Sequence, residues 1–149
     1  MKKAISSLML LSFLSLGAFA QRSATDITGK WKTIDDKTGK AKSIVQIYEQ
    51  GGKAYGKVIE ILNPDRKDAV CDKCADSDSR KNQRIDGMII MMGLEKCDDD
   101  WDDGTILDPD NGKVYDCKMW VGDDGKLQVR GYIGWSLIGR TQVWLPMPD

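Results

Sequence analysis

Apolar and polar residues alternate with a period of two along much of this chain, and short turn sequences interrupt the alternation. That period belongs to a strand with one face on a core, since a helix repeats every 3.6 residues. Gly29 to Ile34 predicts a first strand with Trp31 and Thr33 on one face. Ala41 to Glu49 predicts a second, and Gly51-Gly52 suits the tight turn that returns the chain through Lys53 to Leu62. Asn63-Pro64 ends that strand, because proline cannot donate to a ladder. Gly87 to Met92 and Thr105 to Asp108 predict two short strands. Lys113 to Val121 alternates most cleanly, with Tyr115, Cys117, Met119 and Val121 sharing an apolar face that should point inward. Leu127, Val129, Gly131 and Ile133 continue that face after the turn at Asp123-Asp124-Gly125.

The last strand, Gly139 to Leu145, is ambiguous. Arg140, Gln142 and Trp144 lie on one face, and Thr141, Val143 and Leu145 on the other. If the first set points inward, the interior carries a guanidinium and an amide; if the second does, it is a plain apolar core. The natural partner of this strand is Gly29-Lys30-Trp31, and their meeting would close the sheet. About eight short strands joined mainly by tight turns, with no convincing amphipathic helix, predict an all-β antiparallel up-and-down barrel, because closure removes exposed edges. A barrel of about eight strands can be filled by side chains or hold one small ligand.

Two connectors lack the alternation. Asn63 to Arg84 is long and charged and contains Cys71 and Cys74, so it should be functional, tied down or mobile. Glu95 to Gly104, with Asp98, Asp99, Asp100, Asp102 and Asp103 around Trp101, reads as a solvated acidic loop. It fails the calcium-loop register, because the sixth residue from Asp98 is Asp103 and the twelfth is Pro109.

Composition then narrows the chemistry. Lys2 and Lys3, the apolar run from Ile5 to Phe19 and Ala18-Phe19-Ala20 read as a secretory signal over residues 1–20. Residues 21–149 are then a single exported domain, periplasmic or secreted, without a membrane span. Without Lys2 and Lys3 the 22 basic residues fall to 20 against 23 acidic, a formal charge of −3, which gives no electrostatic case for nucleic acid or for an anionic membrane. The chain has no histidine, which excludes Ser-His-Asp and Cys-His nucleophile pairs and lowers the prospect of an enzyme. Asp-rich turns fix no pair of carboxylates at catalytic separation, and no catalytic residue, cofactor or metal is expected.

Four cysteines in an exported domain point first to disulfides, and pairings of Cys71 with Cys74 and of Cys97 with Cys117 are expected. The alternative for Cys117 is a buried free thiol. A four-thiolate zinc site lacks a second knuckle. A redox-active Cys71/Cys74 pair is opposed by the surrounding aspartates, which would raise a thiol pKa. The tryptophans Trp31, Trp120, Trp135 and Trp144, with Tyr115 and Tyr132, suit either a pocket lining or core packing.

Gly29-Lys30-Trp31, together with an arginine near the last strand, resembles the calycin (lipocalin-like) pattern. That resemblance implies a tryptophan closing one end of the barrel and an arginine lying across it, so Arg140 either caps Trp31 or faces a ligand. More broadly, Asn63-Pro64-Asp65, the Cys71/Cys74 pair, Gly87-Met88, the run from Gly104 to Tyr115, Val129 to Gly134 and Gly139 to Trp144 together resemble a family of small exported bacterial proteins catalogued as domain of unknown function 2147. The resemblance implies a calycin-like barrel and export, and no established activity. The favoured reading is a non-enzymatic barrel for a small apolar or amphipathic ligand, with Trp31, Tyr115, Met119, Arg140, Gln142 and Trp144 as candidate contacts. The alternatives are a thiol-disulfide redox protein using Cys71 and Cys74, and a partner-binding module using the 63–84 loop.

Overall fold

The computed structural model describes residues 26–135 and 137–148, so the expected leader over residues 1–20 lies outside the described residues. Eight antiparallel strands form one closed barrel: β1 (Gly29–Ile34), β2 (Ala41–Gln50), β3 (Lys53–Ile61), β4 (Ile89–Cys97), β5 (Asp100–Asp108), β6 (Lys113–Val121), β7 (Leu127–Tyr132) and β8 (Gly139–Pro146). Each strand pairs with its neighbours in sequence, and β1 closes on β8 with Trp31 opposite Pro146 and Lys32 opposite Leu145. The two ends therefore meet as expected. Among the described residues, no helix is long and apolar enough to cross a membrane.

The hairpin turns at 51–52, 98–99 and 122–126 lie at one end of the barrel, and Ile27 and Trp31 fill that end. Gly51 and Gly52 both take positive φ, which a two-residue hairpin turn requires. Trp31 is fully buried and its indole N–H donates to the Ile27 carbonyl at 2.8 Å, so the plug carries no stranded polar group. Cys117, Met119, Val121, Leu127 and Val129 all point into the core, as their alternation predicts.

The acidic connector is a correction. Residues 95–104 are not a solvated loop: they are the end of β4, a two-residue turn and the start of β5, with Glu95 opposite Asp102 and Cys97 opposite Asp100. Irregularities hide this ladder in the sequence. Gly93 and Asp103 have positive φ, and the β5–β6 register slips between Trp101 and Gly104, so alternation fails at just those places. Trp101 lies buried within this acidic run.

The other connector, residues 62–88, is tied down. It starts with a 3-10 turn (Pro64–Arg66) whose cap is the Asn63 side chain. A Cys71–Cys74 disulfide and a bridge between Val70 and Arg84 brace it. Both bridged cysteines are buried, as are Ile85 and Met88. The Lys73 ammonium donates to the Asp110 carbonyl at 2.9 Å, which seats the loop on the β5–β6 turn at the open end.

The expected Cys97–Cys117 bridge is not formed. Cys97 is exposed at the end of β4, whereas Cys117 is buried on the inner face of β6, opposite Gly104. Burial holds the Cys117 thiol protonated, so it behaves as a small apolar side chain.

Candidate ligand site at the open end of the barrel

Above the plug the barrel is hollow. A cavity of about 930 Å³ opens at the end that carries the β1–β2 turn, the 62–88 loop, the β5–β6 turn and the β7–β8 connection. That volume is of the size that takes small-molecule ligands.

Register decides which face of β8 sees this space. Val129 pairs with Gln142 and Leu127 with Trp144, and both β7 partners point inward. Arg140, Gln142 and Trp144 therefore form the inward set, and all three line the cavity. Arg140 sits at the rim opposite Gly131, with its side chain 61% exposed. Trp144 is buried at the floor.

These three groups form a chain of contacts. The Trp144 indole N–H donates to the Gln142 amide oxygen at 3.2 Å. The Gln142 amide nitrogen donates to the Asp36 carboxylate at 3.4 Å, and Arg140 makes an ion pair with the same carboxylate. Thr33 and Ser43, neighbours across β1 and β2, share a hydroxyl hydrogen bond of 2.8 Å on the cavity wall. The wall contributed by β1, β2 and β8 is thus polar. Val58, Ile61, Ile106, Tyr115 and Val129 supply an apolar patch on the facing wall.

A second cationic group faces the mouth across the β5–β6 turn. Asp110 accepts from Lys42 at 2.6 Å and pairs with Arg66 at 3.0 Å. Partial burial pushes its carboxyl upward in pKa, but the two cations outweigh burial and hold it below the usual carboxylate range. Asp36 and Asp110 are thus each held by two side chains, Arg140 with Gln142 and Lys42 with Arg66.

Of the six candidate contacts, Tyr115, Arg140, Gln142 and Trp144 come together around the cavity. Trp31 and Met119 are instead buried in the core below it. Arg140 does not cap Trp31: the pairings place them at opposite ends of the barrel, about 20 Å apart along the strands. Trp120 lies partly exposed under the Lys118 ammonium, and the Tyr132 hydroxyl donates to Asp102 at 2.9 Å. Sequence reasoning missed Thr33, Ser43 and Asp36, because short polar residues near a turn give no signal until the register is known.

The four thiols do not converge, since Cys71 and Cys74 bridge each other while Cys97 and Cys117 lie on strands. Thiol exchange requires an attacking thiolate to reach a sulfur, and neither bridged cysteine is accessible. Much of the charge on the 62–88 loop is satisfied internally, by Arg80 with Asp78, Lys81 with Asp76 and Arg84 with Asp68.

Comparisons with known proteins agree with the architecture. The sequence pattern of a bacterial family described as "Uncharacterized protein conserved in bacteria (DUF2147)" matches residues 29–145. No curated protein matches the chain. Among solved structures, the chain is similar to one described as protein HP1028 from the human pathogen Helicobacter pylori, belonging to the lipocalin family. The TM-score is 0.73 at 20% sequence identity, covering 84% of this chain and 85% of that one. At that identity the likeness speaks for the fold.

Proposed function

Taking as premise that the chain belongs to the DUF2147 family, which carries no established activity, we propose that it is a non-enzymatic carrier of a small amphipathic ligand. The observation that carries this reading is the open cavity of about 930 Å³ with a polar wall ending in Arg140, a charged rim at the β5–β6 turn and an apolar patch between them. An apolar body would occupy the space beside Val58, Ile106, Tyr115 and Val129. An acidic or amide-bearing head would take Gln142 and Arg140 in place of the Asp36 carboxylate. The carrier works outside the reducing cytoplasm, a reading supported by the Cys71–Cys74 disulfide and by the leader-like start of the chain.

Native mass spectrometry of protein purified from the exporting cell should show a bound small molecule. Displacement of a fluorescent long-chain carboxylate should give the affinity. Truncating Arg140→Ala or Gln142→Ala should weaken binding roughly tenfold each, the value of a charge-assisted hydrogen bond. A protein that is ligand-free from the cell and binds no carboxylate or amide amphiphile would overturn the proposal.

A further inference from the structure

The β7–β8 connection forms one side of the cavity mouth. From Gly131 to Gly139 the sequence carries no charge. Ile133, Trp135, Leu137 and Ile138 are 67%, 77%, 85% and 72% exposed, whereas every other exposed large apolar side chain among the described residues is at 45% or below. Four such groups on one tip form a patch of the kind that marks an interaction site.

Three features identify what covers it. First, much of the tip's backbone polarity is satisfied internally. Ile133 N–H donates to the Ile138 carbonyl at 3.3 Å, Trp135 N–H to Ile133 at 3.0 Å and Ile138 N–H to Trp135 at 2.9 Å. The Arg130 guanidinium reaches up to the Leu137 carbonyl at 3.2 Å. Backbone groups bonded in this way can leave water at small cost, as contact with hydrocarbon demands.

Second, charge is distributed unevenly. Arg130 and Arg140 flank the tip, and Lys37 and Lys40 are exposed on the adjoining β1–β2 turn. Asp35 and Asp36 beside them offset two of these four cations, Asp36 in contact with Arg140 and Gln142, which leaves this corner of the mouth positive on balance. At the opposite end of the barrel, residues 95–103 hold six carboxylates and one lysine. The net charge of −1 averages over this polarity. An anionic surface would attract the mouth and repel the plugged end.

Third, a tryptophan among aliphatic side chains with basic residues behind it is the composition of interfacial anchors. We propose that the β7–β8 tip docks the open mouth of the barrel onto an anionic phospholipid surface. Ile133 and Ile138 belong both to the tip and to the cavity wall. On the carrier reading, an amphiphile would therefore pass between bilayer and barrel without crossing water. The docking itself stands whatever the cavity holds.

Flotation of the purified protein with vesicles tests the docking without reference to a cavity ligand. The protein should float with equimolar phosphatidylcholine and phosphatidylglycerol, and less with phosphatidylcholine alone or at high salt. Trp135→Ser combined with Leu137→Ser should lower vesicle binding at least about tenfold, with an unchanged thermal midpoint because both side chains are exposed. Brominated lipid should quench the fluorescence of the native protein, and Trp135→Phe should float while losing most of that quenching. The proposal is overturned if the native protein does not float, if the double variant floats equally, or if quenching survives in Trp135→Phe. A native protein that is dimeric without vesicles, and monomeric as the double variant, would show the tip to be a self-interface and would also sink it.

Discussion

Gly112 shows what a single residue decides here. Asn111-Gly112 reads in the sequence as an ordinary hairpin signal, and Gly112 does take φ of +74°. Its stronger constraint comes from the 62–88 loop: a Cβ at Gly112 would lie 1.8 Å from the Lys73 carbonyl oxygen and 2.6 Å from the Cys74 nitrogen. Gly112→Ala should therefore cost about 2–4 kcal/mol, more than the positive φ alone would. Denaturant unfolding would check this, and a cost within about 0.5 kcal/mol of the native protein would mean that the disulfide loop is not seated there. That contact was not legible, because it joins residues some forty positions apart through backbone atoms that have no sequence signature. Trp144 and Gln142 were half legible. Alternation grouped them on one face, but a strand mixing Arg, Gln and Trp with Thr, Val and Leu does not declare which face is inner. Pairing with Leu127 and Val129 settles it.

At the scale of elements, strands with one clean apolar face were readable, and an acidic run hid the ends of two others. β6 could be assigned from Tyr115 to Val121, whereas β4 and β5 were read only as Gly87–Met92 and Thr105–Asp108, their facing ends lost among aspartates where Gly93 and Asp103 break the period. The 62–88 loop gave no period, and its order comes from side-chain pairs. Asp78 accepts both from the Arg80 guanidinium, at 2.7 and 2.9 Å, and from the Arg80 backbone N–H, with both side chains largely buried. These bonds, the side-chain one first, hold the Asp78 carboxyl down at about 2, against an ordinary value of 3.8. A carboxyl lowered by folding contributes its stabilisation above the unfolded value, and that contribution is lost as pH falls from about 4 to about 2. Comparing unfolding of the native protein and Asp78→Asn across that window should show a gap of roughly 1–2 kcal/mol that closes on acidification. If the two proteins track each other at every pH, the pair does not brace the loop.

For the molecule as a whole, the barrel closes where the ends of the chain meet, yet it leaves unfilled the space that a packed core would occupy. The part of the cavity that lies within the barrel forgoes dispersion contacts that close packing would supply, so an occupant should stabilise the fold. A ligand that binds only the folded state adds about 2.7 kcal/mol at a hundredfold excess over its Kd. Gly131 offers a way to separate filling the cavity from binding in it. It faces the cavity on β7, and a Cβ there would meet Tyr115 and Ile106 at 3.5 and 3.6 Å, ordinary contact distances. Gly131→Leu would place a side chain where the apolar part of a ligand should lie and would remove glycine's entropic cost in a strand. The variant should match or exceed the native thermal midpoint without ligand, by up to about 1 kcal/mol, and lose the rise that a long-chain carboxylate gives the native protein. A variant that unfolds earlier and still responds fully to the amphiphile would mean that binding occurs elsewhere. A raised midpoint with a lost response would tie the hollow at the mouth, rather than the plug around Trp31, to the ligand.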